Sequence, residues 1–295
     1  MREAIAEKLY FIPGRRGGRF PHCNSLFISD GGGVILDPAS DGKELRAVAG
    51  EGVQVVLLSH YHTDHVRYLK LFPQAAIWIH RQDAPALRDF DEMVRYVWGD
   101  HTEYAGGWSR RKMREVGGWG WPVGRELEDG DELRFGATRL QVLNTPGHTP
   151  GHCCFWFPDS QILFAADFDL TEFGPWYANA ASSVDETLAS IEKLKKLRPR
   201  LTVTGHEAGI IPGDITERLD AFARVVRERE ARILECLKEP LTHEELVRKG
   251  TIYGPYYSPD NINHWMEWRM VWHHLRSLEK RGVIREEAGK YLRIF

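Results

Sequence analysis

The chain has 295 residues, of which 42% are hydrophobic and 27% are charged, and its formal net charge is −3. This balance is typical of a globular domain, and it excludes a strong overall attraction to nucleic acid while leaving room for a local basic patch. Its apolar runs fall short of the roughly 18 residues that a membrane helix needs, and Met1–Tyr10 lacks the apolar core of a signal peptide. We therefore expect a cytoplasmic protein without a membrane partner.

The first two-thirds of the chain is predicted to be rich in strands, with a helical or irregular insertion at about residues 82–125. Met1–Tyr10 is helix-like, and the apolar run Val53–Leu58 predicts a strand that is buried on both faces. The further predicted elements are the hairpins Ser25–Ser29 with Val34–Asp37, Glu132–Phe135 with Arg139–Leu143 and Cys153–Phe157 with Ile162–Ala166, the strands Ala75–Ile79 and Leu201–Thr204, and the helices Asp83–Trp98 and Ser183–Leu197. The second of these helices begins with the sequence of a capping box. The segment 99–124, which contains Trp108, Trp119 and Trp121, cannot be assigned.

The pattern changes at about residue 214, so we predict a catalytic domain of residues 1–213 and a small second domain of residues 214–295. Helices are predicted over 215–238, 242–247 and about 261–281, followed by a short hairpin at 283–295, and this is the order of a winged helix. The third helix carries Trp265, Trp268 and Trp272 on one face. Faces that read DNA grooves are usually polar or basic. We expect this apolar face to pack against the catalytic domain or to form a homo-oligomer.

Seven side chains that can bind metal ions follow the predicted strands. Four of them lie in the run Ser59–His65 directly after the buried strand, and the others come just after three later strands. They are His60, His62, Asp64, His65, His148, Asp167 and His206. Imidazole and carboxylate donors suit zinc, with manganese or iron as alternatives. A helix is predicted to begin near Asp64.

The order of these residues resembles the pattern of the metallo-β-lactamase superfamily. The matching features are H-x-H-x-D-H at His60–His65, then Gly-His at His148, Asp167 after an apolar strand and a final Gly-His at His206, and the resemblance covers about residues 8–212. It implies a mixed α/β fold, the four-layer αββα sandwich. It implies one metal ion on His60, His62 and His148, a second on Asp64, His65 and His206, and a bridge formed by Asp167.

Such a centre implies a hydrolase that uses a metal-bridging hydroxide as its nucleophile, with Asp64 and Asp167 as its catalytic carboxylates. The expected substrate is a small molecule with an ester, thioester or lactone bond. Four aromatic residues just beyond Asp167 are expected to line the pocket. They are Phe168, Phe173, Trp176 and Tyr177. Asp37 and His152 are expected to support the ligands from outside.

Two other functions stay open at this point. Similar C-terminal winged helices occur in lactamase-β-like endoribonucleases, so a single-strand-specific endoribonuclease with the same metal site, and RNA as its partner, is one alternative. The other is an iron enzyme of the persulfide dioxygenase type, which has one metal ion and uses the positions of His60, His62, His148 and Asp167 differently. The pattern of ligands does not distinguish among these reactions, because the same site serves many substrates.

Overall fold

The computed structural model describes residues 1–100, 107, 111, 113–207, 209–258 and 262–294. The strands are β1 (Glu3–Ala6), β2 (Leu9–Ile12), β3 (Ser25–Ile28), β4 (Val34–Leu36), β5 (Val55–Leu57), β6 (Ala76–His80), β7 (Val123–Leu127), β8 (Glu132–Phe135), β9 (Thr138–Asn144), β10 (Cys153–Phe157), β11 (Ile162–Ala166), β12 (Leu201–Thr204), β13 (Ile210–Pro212), β14 (Ile284–Glu287) and β15 (Lys290–Arg293). The α-helices are α1 (Gly42–Gly50), α2 (Ala84–Arg88), α3 (Phe90–Trp98), α4 (Val184–Leu194), α5 (Thr216–Cys236), α6 (His243–Val247) and α7 (Ile262–Lys280). Trp108 lies outside the described residues.

Two mixed sheets form the centre of the molecule. Strands β1 to β7 form one sheet in chain order, antiparallel as far as β4 and parallel from β4 to β7. The other sheet has the order β13-β12-β11-β10-β9-β8, and its β11–β12 pair is parallel. Alternate side chains of each sheet, such as Leu36, Leu57, Phe155 and Phe164, fill the core between the sheets.

Helices cover the outer faces of both sheets. Val56, Leu58 and Ile79 of the first sheet pack in one core with residues of α1, α2 and α3. Leu163 and its neighbours on the second sheet pack with residues of α4 and α5, such as Ile191. Because each sheet buries one face against the other sheet and one against helices, the layers are α, β, β and α. The predicted αββα sandwich is confirmed.

Three local predictions were wrong. Met1–Tyr10 forms β1 and the start of β2 rather than a helix, because Leu9 and Phe11 alternate into the core between the sheets. The segment from Asp64 is a turn, in which the amides of His65 and Val66 both donate to the His62 carbonyl, and a 3₁₀ helix follows at Leu69–Leu71. The region Asp83–Trp98 is two helices, since Asp89 is extended and caps α3 with its side chain.

The C-terminal helices and hairpin follow the predicted order. Helix α6 begins with a complete capping box between Thr242 and Glu245, whereas at α4 Ser183 accepts from the Glu186 amide without a reciprocal bond. Helix α7 buries Met270, Val271, Leu275 and Leu278 in one core with residues of α5 and α6, and Trp268 packs against the edge of that core. Leu275, which the sequence places on the tryptophan face, is thus fully buried. None of the described helices is both long and apolar enough to cross a membrane.

The tryptophan face of α7 is half-buried and contacts α3. The Trp265 ring lies 4.8 Å from the ring of Trp98 and stacks on Trp268 at 5.3 Å, and the Arg269 guanidinium lies 4.9 Å from the Trp265 ring. The side chain of Trp265 also packs against the core beneath the first sheet. These contacts join α7 to the part of the chain that carries the first sheet.

Replacing Trp265 with alanine is expected to lower the free energy of unfolding. We expect a loss of about 2–3 kcal/mol, below the ~3–5 kcal/mol of a fully buried aromatic residue, because the indole is only half-buried. Thermal melting measures the change, and Tyr256→Ala is the control because that side chain is 73% exposed. An unchanged melting temperature together with a collapse of single-stranded RNA binding would instead make this face a stacking platform for bases.

Candidate metal centre

Seven donor side chains meet at one edge of the sandwich, where four strands end. The loop after β5 supplies His60, His62, Asp64 and His65, and the other three donors follow β9, β11 and β12. Two groups result, in each of which the donor atoms lie within 4.8 Å of one another. The first is His60, His62, His148 and Asp167, and the second is Asp64, His65 and His206. All seven residues singled out from the sequence are therefore brought together.

Asp167 stands between the two groups. Its Oδ2 lies 3.1 Å from Nε2 of His148 and 4.0 Å from Nε2 of His60, which belong to the first group. Its Oδ1 lies 2.9 Å from Nε2 of His65 and 3.6 Å from Nε2 of His206, which belong to the second group. One carboxylate oxygen therefore faces each group.

The nitrogen donors within each group are close enough to share one ion. Nε2 of His148 is 2.8 Å from Nδ1 of His62, and Nε2 of His65 is 3.3 Å from Nε2 of His206. On the second side, Asp64 Oδ2 lies 3.5 Å from His206 Nε2. Imidazole and carboxylate ligands bind zinc at about 2.0–2.2 Å, so donors 3–3.5 Å apart can contact one ion together.

Asp37 orients two of the imidazole rings from outside. Its Oδ2 accepts from Nδ1 of His65 at 2.9 Å and from the Ser59 hydroxyl at 2.6 Å, and the Ser59 Oγ in turn lies 2.9 Å from Nδ1 of His60. Asp37 Oδ1 accepts from the Ser59 amide. Since the Nδ1 atoms are occupied, both rings present Nε2 to the centre, as expected of ligands that carboxylates support from outside.

The other three rings are held by more distant parts of the chain. Nδ1 of His148 donates to the Trp176 carbonyl at 2.9 Å, and Nδ1 of His206 donates to the Gly18 carbonyl at 2.6 Å. Nε2 of His62 lies 2.5 Å from Nδ2 of Asn179. With this amide turned over, its oxygen would accept from Nε2–H and leave Nδ1 of His62 with a free electron pair for a metal ion. Each ring thus turns one nitrogen inward and has the other one bonded.

The inward atoms fit a cation better than they fit one another. Nε2 of His60 is buried and has no hydrogen-bond partner among the described residues. Oδ1 of Asp167 faces Nε2 of His65, which carries no proton when Nδ1 of that neutral ring donates to Asp37. Burial lowers the pKa of His60 and of His62 well below the usual value, which favours neutral rings with a free electron pair. Metal binding requires such neutral imidazoles. The residues present therefore fit a site for metal ions.

The charge of the centre also favours cations. Burial raises the pKa of Asp167, but the charges of the surrounding histidines, His65 and His148 first, outweigh it and hold the pKa well below its usual value. For His148, burial lowers the pKa and the Asp167 carboxylate raises it, with a net increase. The ionised carboxylate thus draws positive charge to the point where the two donor groups meet.

Backbone geometry at two positions aims the later ligands. Gly147, directly before His148, has φ +131°, and a Cβ there would lie 2.5 Å from the Thr187 amide nitrogen, so only glycine lets this loop approach the first turn of α4. Ala166, directly before Asp167, has φ +46° at a register shift between β11 and β12. This left-handed residue turns the chain so that Asp167 leaves the strand toward the centre.

A family model now decides the identity of the fold. The model of the metallo-β-lactamase superfamily matches residues 18–206. The chain belongs to this superfamily. Two solved structures extend the likeness to nearly the whole chain. The metallo-β-lactamase family protein TTHA1429 from Thermus thermophilus has a TM-score of 0.75 at 21% identity and covers 99% of this chain and 100% of its own. A β-lactamase domain protein from Burkholderia ambifaria has a TM-score of 0.74 at 18% identity and covers 99% and 93%.

Relatives with named activities are metallo-β-lactamase-fold hydrolases. A hydroxyacylglutathione hydrolase of Methylococcus capsulatus is 28% identical over 233 residues, which are 74% of this chain and 78% of that protein. The hydroxyacylglutathione hydrolase of Cereibacter sphaeroides is 28% identical over 177 residues, and this chain spans only 56% of its length. The human acyl-coenzyme A thioesterase MBLAC2 is 26% identical over 179 residues, 58% of this chain and 59% of that protein. The chain is thus similar to hydrolases of this fold, and it spans little more than half the length of two of these relatives.

The four aromatic residues expected to line the pocket lie in different surroundings. Trp176 is half-buried, and its ring lies 5.4 Å from that of His148 and 6.0 Å from that of His62. Phe173 packs on Tyr253 at 5.2 Å. The side chains of Phe168 and Tyr177 are buried in the cores beneath α5 and α7. Trp176 is the one of the four whose ring contacts ligand histidines.

One segment carries the outer partners of His148 and His62, a role that sequence reasoning did not assign to it. We call residues 173–182 the strap. Its Trp176 carbonyl and Asn179 side chain bond His148 and His62, and its Ser182 hydroxyl donates to the His148 carbonyl at 2.7 Å. An asparagine and a serine among small residues give no signal of this role in a single sequence.

The C-terminal helices of this superfamily member hold the strap from its other side. Arg229 of α5, only 1% exposed, donates to the carbonyls of Phe173 and Pro175 and to the Tyr177 hydroxyl. His273 of α7 bonds the Asn179 carbonyl at 2.8 Å. The strap therefore lies between the C-terminal helices and the first donor group, with bonds to both.

Replacing Arg229 with methionine is expected to destabilise the protein. The change keeps the length of the side chain but leaves two buried carbonyls without a donor, at a cost on the order of 2–4 kcal/mol. Chemical denaturation of the variant measures this loss. Arg227→Met is the control, because Arg227 is exposed on the same helix. Equal stability of the two variants would show that the guanidinium does not hold the strap.

Proposed function

We propose that this protein is a hydrolase that holds two divalent metal ions, zinc first, and cleaves small thioesters. The observation that carries the proposal is the position of Asp167, whose two oxygens face separate groups of donors. One ion would be held by His60, His62 and His148, and the other by Asp64, His65 and His206, with Asp167 shared. The completeness of the second group favours two ions over the single iron ion of the dioxygenase alternative.

The reaction is the addition of water to the acyl carbon, followed by cleavage of the carbon–sulfur bond and release of an acid and a thiol. When bound, two ions supply a water of lowered pKa and polarise the carbonyl oxygen of the substrate. Asp64 and Asp167 contribute negative charge that holds the ions and orients the attacking water. The half-buried ring of Trp176, beside His148 and His62, offers an apolar wall for the acyl group.

The bonds on the outside of the centre keep the ligands ready for the ions. Asp37, Gly18 and the strap fix which nitrogen of each ring faces inward, so little rearrangement is required on binding. The C-terminal helices then serve as a support for the strap, through Arg229 and His273. This role would give the C-terminal helices a part in the catalytic centre that requires no contact to nucleic acid.

The relatives support thioesters among the substrates that such a centre can cleave. Two kinds of relative carry names of thioester hydrolases, one acting on hydroxyacylglutathione and one on acyl-coenzyme A. Esters and lactones share the carbonyl chemistry, whereas the endoribonuclease alternative requires attack on phosphorus. Kinetic measurements on thioesters, esters, lactones and RNA therefore decide which substrate class is cleaved.

A panel of substrates tests the proposal. Zinc-loaded protein is given a thioester, an oxygen ester and a lactone of matched acyl length, together with single-stranded RNA. We expect kcat/KM to be highest for the thioester and the RNA to stay intact. Cleavage of RNA without hydrolysis of acyl compounds would replace the thioesterase proposal with the ribonuclease. A strong preference for the lactone or the oxygen ester would keep the metal centre and change the substrate.

Replacing Asp167 with alanine is expected to reduce the bound metal from two ions per chain and to lower kcat by at least about a hundredfold. The shared carboxylate follows β11 and faces the donor groups rather than the apolar cores, so the metal-free variant should still fold, with a lower melting temperature from the lost contacts to His65 and His148. Elemental analysis and kinetics are compared with those of Asp159→Ala, a change at an exposed carboxylate on the β10–β11 turn. Two ions and near-native turnover in Asp167→Ala would show that another group forms the bridge.

A further inference from the structure

An arginine-rich loop lies directly against the second donor group. The loop between β2 and β3 carries the exposed side chains of Arg15, Arg16 and Arg19. Its Gly18 carbonyl accepts the bond from Nδ1 of His206 at 2.6 Å. The Asn24 amide at the end of the loop donates to the Gly205 carbonyl, also at 2.6 Å. The loop is therefore bonded to His206 and to the residue before it. Its three arginines lie within three residues of Gly18, which makes the first of these bonds.

A fourth arginine joins the loop from the ligand segment. Arg67 follows His65 by two residues and is half-buried. The Arg67 guanidinium lies 5.9 Å from the ring of Tyr68, and that ring stacks at 6.3 Å on the imidazole of His22 in the loop between β2 and β3. After burial itself, the charges of Arg67, Arg15 and Arg16 contribute to lowering the pKa of this imidazole. Arginines from two segments about fifty residues apart thus gather around one side chain. We call Arg15, Arg16, Arg19 and Arg67 the arginine rim.

Two members of the rim lack a carboxylate partner. Arg19 pairs with Glu207 at 2.9 Å, and Arg15 lies 3.9 Å from Asp41. Within the described part of the chain, no carboxylate forms an ion pair with Arg16 or Arg67. The rim therefore carries uncompensated positive charge beside a centre that two divalent ions would make more positive.

The backbone at Arg16 is strained. Arg16 has φ +58° and is followed by Gly17 and Gly18 at +70° and +69°. Glycine adopts this left-handed conformation without cost, whereas another residue loses roughly 1–2 kcal/mol. Strained non-glycine residues concentrate at binding and active sites. A third glycine would fit the backbone here without strain, so the strained position indicates a role for the arginine side chain.

We propose that the arginine rim binds the anionic part of the leaving thiol, while the acyl group lies on the Trp176 side of the centre. This inference rests on the proposed thioesterase function and adds the class of thiol to it. The guanidinium group binds carboxylates and phosphates in a fork of two parallel hydrogen bonds. The expected substrates are thioesters of a thiol that carries carboxylates, as glutathione does, or phosphates, as coenzyme A does.

The test compares thioesters that share one acyl group and differ in the thiol. S-acetylglutathione and acetyl-coenzyme A are the anionic substrates, and the acetyl thioester of N-acetylcysteamine is the neutral one. In the double variant Arg16→Gly and Arg67→Gln, the ratio of KM for an anionic substrate to KM for the neutral one should rise about fivefold or more. With Arg16→Lys in place of Arg16→Gly, the ratio should fall part of the way back toward that of the unmodified protein. High salt should raise the ratio in the unmodified protein. Arg134→Gln, on the edge strand β8, is the matched control.

The possible outcomes separate this inference from the proposed function. A rise for glutathione alone identifies carboxylates, and a rise for coenzyme A alone identifies phosphates. An unchanged ratio for both anionic substrates overturns the inference. If even the neutral thioester is not cleaved, the thioesterase proposal fails, and calorimetric binding of glutathione and coenzyme A still decides the rim. If glutathione or coenzyme A binds more weakly to the double variant but not to Arg134→Gln, the arginine rim is supported as the binding site. Equal binding to both variants overturns the inference.

Discussion

Five imidazole rings can turn a nitrogen atom toward the same small space only because each ring is held by its other nitrogen. Asp37 and Ser59 hold His65 and His60, and backbone carbonyls hold His148 and His206. Without these bonds the rings would rotate to satisfy their inward nitrogens, since a buried polar atom without a partner costs about 1–3 kcal/mol. The outer bonds thus maintain a cluster of free electron pairs around Asp167.

The outer bonds come from parts of the chain that are far apart in sequence. Asp37 directly follows strand β4, Gly18 belongs to the loop after strand β2, and the strap precedes helix α4. Arg229 and His273 bind the strap from α5 and α7, so the C-terminal helices reach the ligands through one intermediate layer. A destabilising change in a C-terminal helix should therefore displace ligands of the first donor group before those of the second, because the second group is held mainly by Asp37 and Gly18.

Sequence reasoning was most successful where a strand delivers a ligand. Runs such as Val53–Leu58 and Ile162–Ala166 are almost entirely apolar and are followed within two residues by His60 and Asp167. The ends of neighbouring strands meet at one edge of a sheet. The pattern therefore predicted the residues that converge, and the resemblance that it carries implied the sandwich. It misjudged the turn at Asp64, because side chains that point to one centre from consecutive positions cannot follow the period of a helix.

The supporting residues could not be found in the same way. Gly18 and Trp176 act through backbone carbonyls, which carry no signature of residue type. Arg229 lies in a helix with many charged residues and is distinguished only by its burial. Likewise, Phe168, Trp176 and Tyr177 all lie within ten residues after Asp167. Only the tertiary structure shows that Phe168 and Tyr177 are buried in the cores beneath α5 and α7.

The central claim is that Asp167 joins two metal ions, and anomalous X-ray diffraction from crystals of the zinc-loaded protein tests it most directly. The account predicts two anomalous peaks about 3.5–4 Å apart. One peak should lie among His60, His62 and His148, the other among Asp64, His65 and His206, with a carboxylate oxygen of Asp167 at each. A single peak at full zinc loading, or two peaks of which Asp167 contacts only one, would contradict the account.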